Sequence, residues 1–546
     1  MTLPHRIGVA ILVVATVCAF SPVLFGGAVF LAWDDNANIV YQPAVQALDG
    51  ANLASVWSGV TLSQGLYEPL SVMLQMLTIE LFGLDVRAFH VVTLVIHVVN
   101  ACLVLSLALR LLASCDTSVR AKIRPEWAAL VAALLFALHP MRVEVVAWAT
   151  GQSYALSALF VLLSLRSYLR HVELRGRGEP GSTGGVSGPL AVSVALYACA
   201  VLSKGAAIFL PPALLLLDYF PLRRRLDASL LLEKLPHALV GAGLFALIWG
   251  VIADRQGPGY FELDWVARIA YAINALSFHL GKSLWPASVH PAYGVSLTEV
   301  SPLSGPLLFS TAIAVFLLGL GWQLRERAPW VTCALGIYGL ALLPVCGLFK
   351  HGDWLLGADR YAYLPLIGIW IVLGALLTSR PLVPAISLAS GRARSVGAVL
   401  LLVLATWGVT TFRLARHWRE DETLWTYTLD VDPANRVALQ NLGTVYMAQQ
   451  RYEEAVPLFT SALRLDPGHN VAAPLNLGVA LHNLDRAQEA VAVYEDALVH
   501  HPRSAALHNN LGAAYWKLGE TEASEEHLQR SQELQAEALV RARQGS

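Results

Sequence analysis

The sequence predicts an all-α membrane protein, a multi-span helical domain of about 11 spans followed by an α-solenoid of tetratricopeptide repeats (TPR). Three observations carry this. Of 546 residues, 56% are apolar and 14% are charged, against about 25% charged in a soluble domain. The charge is uneven: residues 1–412 hold 26 Lys and Arg and 21 Asp and Glu, net +5, whereas residues 413–546 hold 12 and 18, net −6. After residue 420 the sequence repeats every 34 or 35 residues. A single soluble domain and a disordered chain are excluded, and a near-neutral balance without a basic tract gives no support for nucleic-acid binding.

A helix needs about 20 apolar residues to cross a bilayer. The first run, residues 7–30, is longer than the roughly 7–15 of a signal peptide, and no clear cleavage site follows it. It is read as an uncleaved anchor. Further spans are expected at about 88–112, 127–142, 153–169, 189–203, 206–220, 236–253, 303–323, 329–348, 361–378 and 396–412. The pair 189–203 and 206–220 is short and meets at Lys204-Gly205. Segment 266–285 carries Arg268, His279 and Lys282 and is placed on or partly in the outer face.

With a cytoplasmic N-terminus, 18 of the 26 basic residues before position 413 fall on inner loops, as the positive-inside rule requires. An odd number of spans then puts the C-terminal part outside, although Arg413, Arg416 and Arg419 follow the last span on that side. The six cysteines, Cys18, Cys102, Cys115, Cys199, Cys333 and Cys346, show no CxxC pattern and read as small core residues.

The repeats are marked by Asn441-Leu442-Gly443, Asn476-Leu477-Gly478 and Asn510-Leu511-Gly512, and by Pro433, Pro467 and Pro502. This is the tetratricopeptide period. Repeats are expected at about 436–469, 471–504 and 505–538, with Trp425 and Pro433 as the second half of an earlier one. The third has Ser524, Leu528 and Ser531 where the others have Ala, an aromatic and Ala, which suits a solvent-facing cap. The domains are thus 1–412, a connector with a partial repeat at 413–435, and three repeats at 436–546. The repeat residues serve packing, and the concave side is a peptide-binding surface.

Polar residues gather where the spans meet the outer solvent. Trp33-Asp34-Asp35-Asn36 follows the first span. Two acids there supply either a general base and its partner, for a substrate that is itself a lipid, or a solvated helix cap. In His139-Pro140-Met141-Arg142-Val143-Glu144 the proline breaks the helix, so His139 and Arg142 face the outer cavity. Arg142 either grips a phosphate through two hydrogen bonds or pairs with Glu144 or a lipid headgroup. Lys204 and Lys350-His351-Gly352-Asp353 add outer cations and polar groups. Arg360, in Asp359-Arg360-Tyr361, is a second phosphate candidate or an interfacial anchor beside Tyr361 and Tyr363. His90 and His97, seven apart, have no acidic third ligand nearby, so no metal site is expected. Acids and cations on one side suit transfer from a lipid phosphate, the acid taking the proton of an incoming hydroxyl and the cations stabilising the departing phosphate.

At this point the sequence resembles the transmembrane and tetratricopeptide-repeat (TMTC-like) proteins, which belong with the protein O-mannosyltransferases of the GT-C glycosyltransferase fold. The resemblance covers nearly the whole chain. It rests on the order and spacing of Trp33-Asp34-Asp35, Tyr67-Glu68-Pro69-Leu70, Phe89-His90 with His97, Phe136-Ala137-Leu138-His139-Pro140 with Glu144, Leu202-Ser203-Lys204, and Asp359-Arg360-Tyr361-Ala362-Tyr363-Leu364-Pro365. It implies an inverting glycosyltransferase that takes a sugar, mannose by analogy, from a polyprenyl-phosphate donor to Ser/Thr hydroxyls of exported proteins. By the same resemblance Asp34 or Asp35 is the base. Arg142, Lys204 and Arg360 hold the donor phosphate, with only Lys204 and Arg360 in matched positions, and His139, Glu144, Asp359 and Tyr361 support them. Glu68 departs from the pattern, standing where the family often has a basic residue; so do Gly205 and Gln152-Ser153.

The expected partners are the lipid-linked sugar, the membrane and an acceptor polypeptide held by the repeats; no cofactor beyond the donor is implied, and a divalent metal is left open. The short loops favour a bacterial inner membrane with periplasmic repeats, while an endoplasmic-reticulum membrane uses the same topology. Two other readings stay open: a non-catalytic, membrane-anchored repeat scaffold, and a flippase of lipid-linked sugars. The flippase predicts charges deep inside the spans, whereas most lie at the ends.

Overall fold

The structure, a computed structural model, describes residues 3–25, 27–59, 66–114, 124–177, 187–253, 265–294, 304–348, 355–379, 391–465, 468 and 471–544. The chain divides into two compact units, Met1–Arg419 and Glu420–Ser546.

The first unit holds α1 (Leu3–Phe20), α2 (Gly50–Trp57), α3 (Pro69–Phe82), α4 (Val86–Ala113), α5 (Pro125–Ala137), α6 (Val143–Ala147), α7 (Gln152–Gly176), α8 (Gly188–Ser203), α9 (Leu210–Tyr219) and α10 (Ala228–Ala253). It continues with α11 (Trp265–Leu284), α12 (Gly305–Leu324), α13 (Pro329–Leu342), α14 (Ile367–Leu377) and α15 (Gly391–His417). A two-stranded antiparallel sheet, β1 (Tyr293–Gly294) and β2 (Leu355–Gly357), pairs Tyr293 with Gly357.

Each of the eleven expected spans falls on a helix. Among the described residues six helices are long and apolar enough to cross a membrane, seven if the bent pair Pro125–Ala137 and Pro140–Ala147, which meet at 59°, is one span. The other four expected spans fall on shorter helices, Gly188–Ser203, Gly205–Tyr219, Pro329–Val345 and Ile367–Leu377. At about 1.5 Å per residue these fall short of the roughly 30 Å hydrocarbon core. Polar or proline-containing breaks cut them, at Lys204-Gly205, at Pro344 and at Asp359-Arg360. The first span is also shorter than expected, because a 3-10 turn over Ser21–Val23, with Pro22 inside it, ends α1 and turns the apolar stretch behind it into loop.

Among the loops expected to be inner, Arg223 donates to the carbonyl of Glu326 (3.0 Å) and Arg110 approaches Glu173 (3.7 Å). Behind α1 the backbone N–H of Val29 donates to the carbonyl of Arg419 (2.9 Å), just beyond α15. Cys333 and Cys346 are buried, Cys102 and Cys199 partly so, and Cys18 is exposed, so the core reading fails for Cys18. Cys115 lies outside the described residues, as do Lys350-His351-Gly352-Asp353 and Pro467.

An ion cluster, at the end expected to be inner, staples α7, α9 and α10. Glu233 accepts from Arg224 (2.7 and 2.9 Å), Arg175 (2.5 Å) and Lys234 (2.9 Å), and Asp218 accepts from Arg224 (3.0 Å) and Tyr168 (2.5 Å). Three of the cations expected on inner loops, Arg175, Arg224 and Lys234, are thus spent on buried carboxylates, which a charge buried in low dielectric requires.

Helix α14 crosses α5 with almost no gap: a Cβ on Gly374 would sit 2.4 Å from the carbonyl oxygen of Ala128. In lipid, where apolar surface drives little association, such close backbone approach holds helices together. Gly374→Ala is expected to cost about 1–3 kcal/mol and to lower the melting temperature of the detergent-solubilised protein; an unchanged melting point would show that the two helices are not in contact.

The second unit contains α16 (Asp421–Val431), α17 (Arg436–Ala448), α18 (Tyr452–Leu465), α19 (Ala472–Asn483), α20 (Ala487–His500), α21 (Ala505–Leu518) and α22 (Thr521–Gln544). The motif glycines mark where paired helices touch. A Cβ on Gly478 would lie 2.2 Å from the Tyr494 ring, and one on Gly443 2.7 Å from Phe459. The last repeat differs from expectation. Ser524 and Ser531 are buried rather than solvent-facing, and their hydroxyls donate to the carbonyls of Gly512 and Ala505 (2.8 Å each). A hydroxyl replaces the usual methyl there without leaving a polar group unpaired.

Candidate functional site

The outer loops converge on Arg360. Its side chain lies in the short turn Asp359–Ala362 that precedes α14. Its backbone N–H donates to Glu144 Oε2 (2.8 Å) and its guanidinium to Glu144 Oε1. The guanidinium carbon is 5.4 Å from the centre of the Trp148 ring, 5.8 Å from Trp33 and 5.0 Å from Tyr361. Trp33 and Trp148 stack at 4.9 Å. The loop bearing Asp34 and Asp35 is therefore beside Arg360.

The two acids have different surroundings. Asp35 is 1% exposed. Its Oδ1 accepts from the backbone N–H (2.9 Å) and the hydroxyl (2.6 Å) of Thr150, and its Oδ2 from the backbone N–H of Leu31 (3.0 Å). Burial pushes its carboxyl up to about 6 against those hydrogen bonds. Asp34 is only partly buried.

Lys204 closes α8 and is 14% exposed. Its ammonium donates to Glu68 (2.5 Å) and sits 4.5 Å above the Tyr154 ring. Burial disfavours the charged amine, but the Glu68 carboxylate outweighs it and holds the Lys204 pKa above the ordinary lysine value. Lys204, Arg360, Tyr154, Tyr361 and Tyr363 line one pocket. Phe209 and Leu364, also in its wall, belong as well to an apolar groove between α4, α7, α9, α13 and α14.

The remaining expected residues take other places. Arg142 is 0% exposed and does not face the cavity. Its guanidinium carbon lies 5.0 Å from the Phe136 ring and 5.1 Å from Tyr363; Nε donates to the Phe136 carbonyl (3.2 Å), and both terminal nitrogens lack a partner among the described residues. The turn after Pro140 folds it inward, and Glu144 pairs with Arg360 instead. His139 caps that turn: its Nδ1 accepts from the backbone N–H of Met141 (3.2 Å), and its other nitrogen bonds the Ser283 carbonyl (2.9 Å). Asp359 is buried and accepts from the Tyr293 hydroxyl (2.9 Å). His97 accepts from the Tyr363 hydroxyl (2.6 Å) and bonds the Ala137 carbonyl (3.1 Å), and His90 bonds the Val23 carbonyl (3.3 Å); both rings tie helices together.

Sequence reasoning missed Thr150, the partner of Asp35, and used Glu68 only as a departure from a pattern. A lone threonine carries no signal; a carboxylate beside a membrane does, since it must be paired or used, although its partner Lys204 is 136 positions away.

The family described as Tetratricopeptide repeat matches residues 440–499 and 475–538. Protein O-mannosyl-transferase TMTC3 from Homo sapiens is 24% identical over 465 residues, 78% of this chain and 47% of that protein. Protein O-mannosyl-transferase TMTC1 from Homo sapiens is 26% identical over 461 residues, 77% of this chain and 50% of that protein. The chain spans about half the length of these curated relatives. The crystal structure of ArnT from Cupriavidus metallidurans bound to undecaprenyl phosphate aligns with 92% of this chain and 80% of its own at 15% identity, with a TM-score of 0.36, too loose a likeness to build on. Over about three quarters of its length the chain is similar to these protein O-mannosyl-transferases, and its C-terminal residues match the tetratricopeptide-repeat family.

Proposed function

We propose that the chain is a membrane glycosyltransferase. It moves a sugar, mannose by its relatives' names, from a polyprenyl-phosphate donor to Ser/Thr hydroxyls of polypeptides on the non-cytoplasmic face, and the repeats hold the acceptor. The observation that carries the reading is a cation-lined pocket that shares the wall residues Phe209 and Leu364 with an apolar groove, beside a loop carrying the partly buried acid Asp34. A sugar linked through a phosphodiester to an isoprenoid has that division: an anionic head and a long apolar tail.

In this mechanism the donor phosphate lies against Lys204 and Arg360. The acceptor oxygen attacks the sugar C1 from the opposite side, its proton passes to Asp34, and the C1–O bond to phosphate breaks with its electron pair going to the phosphate oxygen. The cations stabilise the charge that develops there. Asp34 is the base because a base must reach the hydroxyl it deprotonates. Asp35, buried and accepting hydrogen bonds from Leu31 and Thr150, positions the loop. Arg142, inside the core, supports the Asp359–Tyr363 segment rather than touching phosphate.

The test uses the full chain in nanodiscs with a polyprenyl-phosphate mannose and a Ser/Thr-rich peptide, reading one added hexose by mass spectrometry. Lys204→Gln and Arg360→Gln are expected to lower kcat/KM by about 10²–10³ each. Undiminished transfer in both variants would remove the phosphate assignment; no transfer from any polyprenyl-phosphate sugar would remove the enzyme and favour the scaffold.

A further inference from the structure

Glu68 is oddly placed for a residue with only a structural task. It precedes Pro69 at the start of α3, yet its side chain makes no capping hydrogen bond to its own helix. The join between α3 and the end of α8 is made separately, by the Ser71 hydroxyl donating to the Ser203 carbonyl (2.7 Å). The Glu68 carboxylate, 7% exposed, is spent on Lys204.

The titratable and charged groups lining the pocket are Lys204, Arg360 and the phenols Tyr154, Tyr361 and Tyr363; the carboxylates Glu68 and Glu144 are outside its lining, each paired with one of the two cations. Two cations and two carboxylates sum to zero. The ligand's charge changes during the proposed reaction. A sugar phosphodiester carries one negative charge. The lipid phosphate released from it is a monoester, with about −1.5 to −2 at pH 7 and a second ionisation near 6. A pocket carrying +2 would hold that product more tightly than the donor and would be blocked by it.

We propose that Glu68 is a specificity-determining residue that keeps the pocket neutral, so that it accepts a lipid phosphodiester and releases the lipid phosphomonoester formed from it. This rests on the reading of the pocket as the donor-phosphate site. Removing one carboxylate charge a few ångströms from the phosphate, at an effective dielectric constant near 20, shifts the monoester-to-diester preference by on the order of tenfold or more.

The test titrates the intact protein, in phosphatidylcholine nanodiscs, with farnesyl phosphate and with its methyl diester, at pH 7.5 and 5.5. Wild type is expected to bind the diester at least as tightly as the monoester, and to bind the monoester more tightly as pH falls through 6 and the second charge is lost. Glu68→Gln should prefer the monoester by tenfold or more at pH 7.5 and lose most of that preference at pH 5.5. Glu68→Asp, which keeps the charge, should keep the wild-type ratio. A pure packing role would weaken both ligands equally at both pH values. An unchanged ratio in Glu68→Gln overturns the inference. So does a wild type whose monoester affinity rises with pH, a result available even where the variant does not fold. If wild type binds neither compound, the phosphate site itself fails and this inference with it.

Discussion

Asp34→Asn removes sugar transfer, by a factor on the order of 10²–10⁴ in kcat, and leaves the protein folded, whereas Asp35→Asn lowers its stability. The division follows from what each carboxylate touches. The Asp34 side chain lies at a half-exposed position beside Trp33, which faces Arg360. Asp35 accepts three hydrogen bonds, one from Leu31 and two from Thr150. An asparagine there turns an amide N–H toward one of those donors, at a cost of about 1–3 kcal/mol for the unsatisfied group.

The pH dependence of stability separates the two further. Burial raises the Asp35 carboxyl from the ordinary 3.8 to about 6. The folded state therefore binds this proton more readily than the unfolded chain. The resulting stabilisation is complete below about pH 4 and is lost as pH rises through 6. Asp35→Asn removes that slope and Asp34→Asn does not. Melting curves between pH 4 and 7.5, together with single-turnover transfer, check both statements. A wild-type rate in Asp34→Asn, or a catalytic loss confined to Asp35→Asn, would exchange the two roles.

What the sequence disclosed and what it hid divide along range. Apolar runs and repeat spacing are local, and they located the spanning helices and the helices of the solenoid. The lengths of the four short helices were not legible, because apolarity does not say where a break such as Lys204-Gly205 turns the backbone. Nor were the charge partners. Glu144 stands two residues from Arg142, so pairing by proximity joins them, yet the carboxylate goes to Arg360, 216 positions away. Arg142 meanwhile is turned inward among aromatic rings. The staple of Tyr168, Asp218, Arg224 and Glu233 escaped for the same reason: its members are spread over three helices and a loop, and a count of positive residues by loop treats each as solvated. The gathering of acids and cations at the outer end was foreseeable because ionisable residues beside a membrane must be paired or used; which of them share a pocket depends on the packing.

That long-range pair makes the second large effect. Glu144 is 1% exposed and takes both the backbone N–H and the guanidinium of Arg360. Glu144→Gln leaves a guanidinium in a low-dielectric setting without its counter-charge, which typically costs 3–5 kcal/mol. The expected result is a steep fall in melting temperature and loss of transfer together. Neither shows by itself whether Arg360 acts on substrate or only fills a buried pair. The double variant Glu144→Gln/Arg360→Met separates the two. Removing both charges relieves most of the burial cost, so the stability returns to within about 1–2 kcal/mol of wild type, as for buried pairs replaced by apolar groups. Transfer does not return, because the cation that faces the donor phosphate is gone. Rescue of both fold and turnover by the double variant would make the pair purely structural and leave Lys204 as the phosphate ligand. A Glu144→Gln protein as stable as wild type would mean that water reaches the pair, and that Arg360 is held in place by the rings of Trp148 and Tyr361 instead.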